Sequence, residues 1–127
     1  MHTDAIKNFL VPTLTEEQKR FVYAEESDVL NVALLGMTAE EWRENNLELA
    51  KNGNMVDYIG LLPLVILSSL ETINASLISD NISQRERLIK INNNARMQMK
   101  VLKNNKNIKY LELLENQIND KILIENK

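Results

Sequence analysis

The feature that most constrains the fold of this chain is a helix-start signal that recurs along it. In a capping box, a Ser or Thr and a Glu or Gln three residues later reciprocally satisfy two free backbone amides at the start of a helix. The pattern occurs at residues 15–18, 38–41 and 83–86, and Ser27-Asp28 is a weaker helix start. No stretch alternates apolar and polar residues as a half-buried strand does. The sequence therefore predicts an all-α protein.

The apolar periodicity predicts a compact multi-helix bundle around one central helix. The apolar run 61–67 is too short to cross a membrane, which needs roughly 20 such residues, so we expect the helix over 61–79 to be buried. We expect one helical domain over 1–103 and a helical extension over 104–127 that packs on the domain or on a partner chain. Residues 103–107 are either a turn or part of one long helix. Helices are predicted near 4–9, 16–24, 28–35, 39–46, 61–79, 84–103 and 107–124.

Two of the predicted helices carry an apolar stripe at spacings of three and four residues. In the 84–103 helix the stripe consists of Leu88, Ile91, Ala95, Met99 and Leu102. In the last helix it consists of Ile108, Leu111, Leu114, Ile118 and Ile122. This second stripe has more apolar surface than a solvated tail normally shows, which makes it a candidate oligomer surface.

The charges are divided unevenly between the two parts of the chain. Residues 1–82 carry five basic and thirteen acidic side chains, a balance of −8, whereas residues 83–127 carry ten and five, a balance of +5. Such asymmetry indicates an anionic partner, or two parts of one fold that pack against each other. The candidate contacts for nucleic acid or an acidic partner are Arg85, Arg96, Lys100 and Lys103. Residues 84–109 contain no aromatic side chain that could stack on a base, and phosphate binding by this stripe would be non-specific and salt-dependent.

The single tryptophan, Trp42, lies in the first turn after the Thr38 capping signal, next to Arg43. A lone tryptophan at helical spacing is typical of a core anchor, and the alternative is a hot spot for partner binding. We expect Arg43 to form ion pairs with the neighbouring acids. Five other acids of the N-terminal part are expected to form a solvated face: Glu16, Glu17, Glu25, Glu26 and Asp28.

The sequence offers few groups for catalysis or metal binding. It has no cysteine, and its one histidine, His2, stands at the N-terminus. Nucleophilic catalysis therefore lacks its usual base, and no glycine-rich phosphate loop is present. We expect no enzymatic activity, no cofactor and no metal. The N-terminus has no cationic segment followed by an apolar stretch, which favours a cytoplasmic location.

Four segments in order carry a family resemblance: HTDAIKNFLVP, EQKRFVYAEESDVLNVALLGMTAEEWRENN, NMVDYIGLLPLVILSSLETINASLI and SQRERLIKINNNARMQMKVL. Together, over roughly residues 2–102, they resemble the C-terminal region that follows the KilA-N domain in bacterial and phage-type DNA-binding proteins. The KilA-N domain would lie upstream of residue 1. The resemblance implies a phage, prophage or mobile-element regulator as the parent protein.

These observations predict a non-catalytic helical module for interaction or oligomerisation, the C-terminal region of a KilA-N-type regulator. The expected partner is another protein or a second copy of the chain, and we expect no contact with a membrane. The alternative is auxiliary, non-specific binding of nucleic acid through the basic helix 84–103. The parent protein's upstream domain is a second route to nucleic acid.

Overall fold

The computed structural model describes residues 10–104 and 113–121. Within them the chain forms helices and no β-strand, which confirms the predicted all-α class. The elements are α1 (Glu16–Arg20), α2 (Glu26–Leu35), α3 (Ala39–Asn45), α4 (Leu47–Ala50), a 3-10 turn (Met55–Asp57), α5 (Leu61–Ser79), α6 (Gln84–Lys103) and α7 (113–121). The helix predicted near 4–9 lies outside the described residues. So do residues 105–112, on which the choice between a turn and one long helix depends.

The helix-start signals act where the sequence places them. The Thr15 and Thr38 capping boxes both form, each with its two reciprocal hydrogen bonds. The Ser83 hydroxyl accepts from the Glu86 amide at 3.3 Å at the start of α6. The weaker signal at Ser27-Asp28 is offset by two residues, because the N-cap of α2 is Glu25 and the helix begins at Glu26. Short polar side chains thus fix most helix starts by satisfying amides that have no intrahelical partner.

The core lies where α2, α5 and α6 pack on one another. The central position of α5 is confirmed, since its residues Leu62, Ile66 and Leu70 are fully buried. Each such side chain contributes about 1.5–3 kcal/mol by leaving water. The facing stripe of α6 is buried at Leu88, Ile91, Ala95 and Met99, and Leu102 packs half-buried at its edge. By length and composition alone α5 would also suffice to cross a bilayer, a criterion that buried core helices meet as well.

The first helix is shorter than the sequence predicts. The pattern predicts a helix over 16–24, but α1 ends at Arg20 and Phe21 is already extended, with φ −72° and ψ 141°. The Gln84 side chain accepts from the Tyr23 amide at 2.8 Å and donates to the Tyr23 carbonyl at 2.9 Å. One amide side chain thereby satisfies both backbone groups of Tyr23 that a continued helix would have paired.

An extended segment before α1, residues 10–14, lies along α2 and α6. Asn92 donates one hydrogen bond to the Pro12 carbonyl at 3.0 Å and one to the Ala33 carbonyl at 2.9 Å, which joins the segment to both helices. Leu14 is buried in the core. Gly36 ends α2 with a positive φ of 76°, and a Cβ there would lie 2.6 Å from the Pro12 side chain. The close approach therefore requires glycine.

A small satellite cluster occupies the connection between α3 and α5. Trp42 is buried, and its ring stacks on that of Tyr58 with centroids 5.6 Å apart. Met55 is buried as well. The Tyr58 hydroxyl donates to the Leu49 carbonyl at 3.1 Å. The stretch between the predicted helices 39–46 and 61–79 thus contains α4 and the 3-10 turn, and Trp42 and Tyr58 pack against each other beside them.

Candidate protein-binding cleft

A cleft of about 600 Å³ opens among the starts of three helices. It lies between α1, the extended segment 21–24 and the first turns of α2 and α3. We call it the acidic cleft and define it by its apolar floor and its acidic rim. The floor consists of Phe21, Val22 and Tyr23. The rim consists of Glu17, Asp28, Glu40 and Glu41.

The floor of the acidic cleft exposes apolar surface that the core does not cover. The side chains of Phe21 and Val22 are 58% and 79% exposed, whereas Tyr23 is 8% exposed. The rings of Phe21 and Tyr23 are in contact, with centroids 4.7 Å apart and planes tilted by 56°. The exposed phenylalanine therefore packs against a buried tyrosine. Clustered exposed apolar residues rimmed by polar ones are typical of interaction sites.

The acidic rim follows from the way the helices begin. Glu17 lies in the first turn of α1, Asp28 in that of α2, and Glu40 and Glu41 in that of α3. Acidic side chains are favoured there by the partial positive charge of a helix N-terminus, roughly +0.5 for each helix. Four formal negative charges exceed this partial charge. The convergence of three helix starts therefore leaves the acidic cleft with a net negative field.

Two of the four acids accept hydrogen bonds from backbone amides at the start of α3, and two form no ion pair within the described residues. Glu41 accepts from the Thr38 amide at 2.9 Å, and Asp28 accepts from the Ala39 amide at 3.4 Å. Glu17 and Glu40 form no ion pair within the described residues. These two carboxylates are the rim groups that a basic partner would meet first.

The pKa of the Tyr23 phenol is affected by the acidic residues of the cleft. Burial raises its pKa above the ordinary value, and the nearby carboxylates of Glu41, Asp28 and Glu17 raise it further. Each of these charges disfavours the phenolate. The Tyr23 hydroxyl accordingly remains a neutral donor, directed to the Gln18 carbonyl at 3.5 Å.

A polar cluster outside the acidic cleft lies at the junction of α2, α5 and α6 and joins these helices. The Arg87 side chain is 9% exposed and donates to both carboxylate oxygens of Glu26. It also donates to the Asn74 Oδ1 at 2.9 Å and to the Ile82 carbonyl at 3.0 Å. Asn74 in turn donates to the Glu26 Oε1 at 3.0 Å. Glu26 is thus an anchor between helices, although its side chain is still 45% exposed, in keeping with the expected acidic face.

This polar cluster lowers the pKa of Glu26 below its ordinary value. The hydrogen bond from Arg87 is the main cause, and burial of the carboxyl opposes it. The Asn74 hydrogen bond and the positive charge of Arg87 add to the lowering. The carboxylate is therefore the stable form of Glu26 in the folded protein.

The basic residues predicted as contacts lie away from the acidic cleft. Arg85, Arg96 and Lys100 are exposed, and Lys103 is half-buried. Arg96 donates to the Thr13 hydroxyl at 3.0 Å. A shallower cleft of about 280 Å³ brings Arg96, Lys100 and Lys103 together beside Leu10, Val11 and Met99. Arg85, at the start of α6, does not line it.

The other predicted site residues are dispersed. Trp42 and Arg43 lie on α3 but do not line the acidic cleft, and Arg43 is exposed. On α7, Leu114 is half-buried and Ile118 is 55% exposed. The remaining members of that stripe lie outside the described residues: Ile108, Leu111 and Ile122. Over 10–104 and 113–121, no group of three or more metal-ligating side chains gathers.

The apolar floor of the acidic cleft is not among the sites that the sequence predicts. The signal was the triplet Phe21-Val22-Tyr23, since two aromatic residues and a β-branched one favour extended backbone over helix. Comparison with known protein families, with characterised proteins and with solved structures finds no match for this chain. Function is therefore inferred from the acidic cleft and the charged surfaces.

Proposed function

We propose that the chain is a non-catalytic helical interaction module whose binding face is the acidic cleft. The partner is a basic protein segment that also carries apolar side chains. One observation carries the proposal: the exposed Phe21 and Val22 line the same cleft as four carboxylates. The resemblance to the region that follows KilA-N domains adds that the module belongs to a phage or mobile-element DNA-binding regulator.

The energetics favour a weak and salt-sensitive complex. Complete burial of a Phe side chain contributes about 1.5–3 kcal/mol, and Phe21 has rather more than half of its surface left to bury. Each ion pair on the exposed rim adds about 0–1 kcal/mol. Apolar contact thus supplies most of the affinity, while the rim selects for positive charge and speeds association.

The proposal is tested with a fluorescently labelled peptide of alternating Lys and Leu residues, followed by anisotropy. We expect saturable binding that weakens as NaCl rises from about 50 mM to about 500 mM, because salt screens the rim. The variant with Glu17→Lys and Glu40→Lys is expected to lose binding, since it reverses the two rim charges that have no ion pair among the described residues. Equal binding by this variant and the wild type would contradict the proposal.

A matched control separates the acidic cleft from net charge. Glu44→Lys with Glu71→Lys makes the same change in charge at exposed positions that do not line the cleft. We expect this control to bind the peptide within about twofold of the wild type, since its added charges lie outside the contact and act only through a screened field. A loss equal to that of the cleft variant would show that total charge alone governs binding.

A second candidate function is non-specific binding of nucleic acid by α6. It is favoured by the convergence of Arg96, Lys100 and Lys103 at the shallower cleft. Such binding would fall steeply with salt, because each phosphate contact releases counterions. The test is anisotropy of a labelled DNA duplex, with Arg96→Glu and Lys100→Glu expected to abolish binding. Absence of binding at about 20 mM salt would remove this candidate.

A further inference from the structure

We infer that the segment bound in the acidic cleft is the outer face of α6 from a second copy of this chain. The inference rests on the proposed function and names its partner. Its basis is the match between two surfaces of one molecule. One surface is apolar with an acidic rim, and the other is apolar with basic flanks.

The second surface is a strip on the outside of α6. Met97 and Val101 are 64% and 58% exposed although the opposite face of the helix is in the core. Lys90 and Lys100 are exposed on the same side, seven and three positions from Met97. Residues at these spacings share one face of a helix. We call Lys90, Met97, Lys100 and Val101 the α6 outer strip.

The strip and the acidic cleft are chemically complementary. Met97 and Val101 supply apolar side chains for the exposed Phe21 and Val22. Methionine suits such a contact because its flexible thioether adapts to an aromatic surface. The two lysines supply positive charge to the rim.

No ion pair within the described residues joins a rim carboxylate to a lysine of the strip. The acidic cleft lies in the part of the sequence with a charge balance of −8, and the strip lies in the part with a balance of +5. Glu26 and Arg87 pair across this division within one molecule, whereas the rim and the strip are the charged surfaces that we assign to contact between molecules.

Each copy offers one acidic cleft and one strip, so two copies can satisfy both surfaces at once. A reciprocal pair of this kind has two-fold symmetry and closes on itself. Both contacts in the pair are equivalent. The association is therefore expected to depend on salt and on both surfaces equally.

The test is sedimentation velocity of the full chain, across protein concentration, at about 50 mM and about 500 mM NaCl. We expect a dimer at low salt and the 14.6 kDa monomer at high salt. Glu17→Lys with Glu40→Lys makes the acidic cleft basic, and Lys90→Glu with Lys100→Glu makes the strip acidic. Each double variant alone is expected to be monomeric at both salt concentrations.

Mixing the two double variants in equal amounts is the decisive step. In the mixed pair, the basic cleft of one variant meets the acidic strip of the other, and the second contact joins the unchanged cleft and strip. Both contacts then have opposite charges, so the dimer is expected to return. The control, Arg43→Glu with Arg85→Glu, reverses exposed charges outside both surfaces and is expected to dimerise like the wild type. Failure of the mixture to associate would overturn the inference.

Two further outcomes separate this inference from the proposed function. A chain that stays monomeric at low salt but binds the Lys-Leu peptide in its acidic cleft refutes self-association and leaves the interaction module standing. Dimers that survive both charge reversals but dissociate on Leu113→Glu with Ile118→Glu place the contact on α7, where both side chains are exposed. That result also overturns the inference.

Discussion

The polar cluster of Glu26, Asn74 and Arg87 allows a quantitative test of how the fold is held together. Glu26→Ala would leave the guanidinium of Arg87, which is 9% exposed, with two neutral acceptors and no anion. Breaking a buried pair in this way costs about 3–5 kcal/mol. The Glu26 side chain is 45% exposed, however, so water screens part of the interaction. We therefore expect a loss of about 2–3 kcal/mol in the free energy of unfolding.

The reverse truncation is expected to cost less. Arg87→Met leaves a carboxylate that water can reach, and Asn74 still donates to it. The methionine also retains much of the apolar packing of the arginine stem. We expect a loss of about 1–2 kcal/mol. The double variant removes both charges together, so its loss should be smaller than the sum by about 1 kcal/mol or more.

The assay is urea unfolding followed by circular dichroism at the helix band, for the wild type and the three variants. Glu25→Ala is the control, because the Glu25 side chain makes no capping bond at the start of α2. Its effect should stay within about 0.5 kcal/mol. Equal losses for the two single variants, or strictly additive losses in the double variant, would refute the account of the polar cluster.

Three other perturbations follow from the same structure. Because the folded pKa of Glu26 lies below its ordinary value of 4.5, its stabilisation is present above that pH and is lost as the pH falls through the folded pKa. The urea midpoint of Glu26→Gln should therefore decline less than that of the wild type from about pH 6 to pH 3; parallel declines would count against the pairing. Gln84→Ala removes both side-chain bonds to Tyr23, so we expect a loss of about 1–3 kcal/mol in urea unfolding, and an unchanged midpoint would be inconsistent with them. Gly36→Ala places a Cβ against Pro12 at a positive φ and should lower the melting temperature by several degrees, an effect of about 1–3 kcal/mol; a neutral result would mean that the approach is not close.

The sequence predicts the helical core well because burial there is periodic. The bounds of α5 and α6 follow from apolar spacing and from the Ser83 cap, both of which are local signals. The end of α1 could not be predicted in this way, since it depends on Gln84, which is 61 positions from Tyr23 in the chain. The pairing of Glu26 with Arg87 spans the same distance. Residues so far apart in the chain are brought together only by the fold, and their pairing produces no periodic pattern in the sequence.

The acidic cleft was hidden from the sequence for a related reason. Its four acids are each explained locally as first-turn residues, and nothing in the sequence indicates that the three helix starts meet. The exposure of Phe21 depends on where α1 ends. The sequence shows that acidic residues are concentrated in its first 82 positions. It does not show which of them share a surface, and binding depends on that surface.

The most direct measurement is a titration of the ¹⁵N-labelled chain with the unlabelled Lys-Leu peptide, followed by amide chemical shifts. We expect the largest shifts in the segment 21–24 and in the first turns of α1 and α3, and we expect them to vanish in the Glu17→Lys, Glu40→Lys variant. Shifts that fall mainly on α5 or α7, or that persist in that variant, would contradict the claim that the acidic cleft is the binding face.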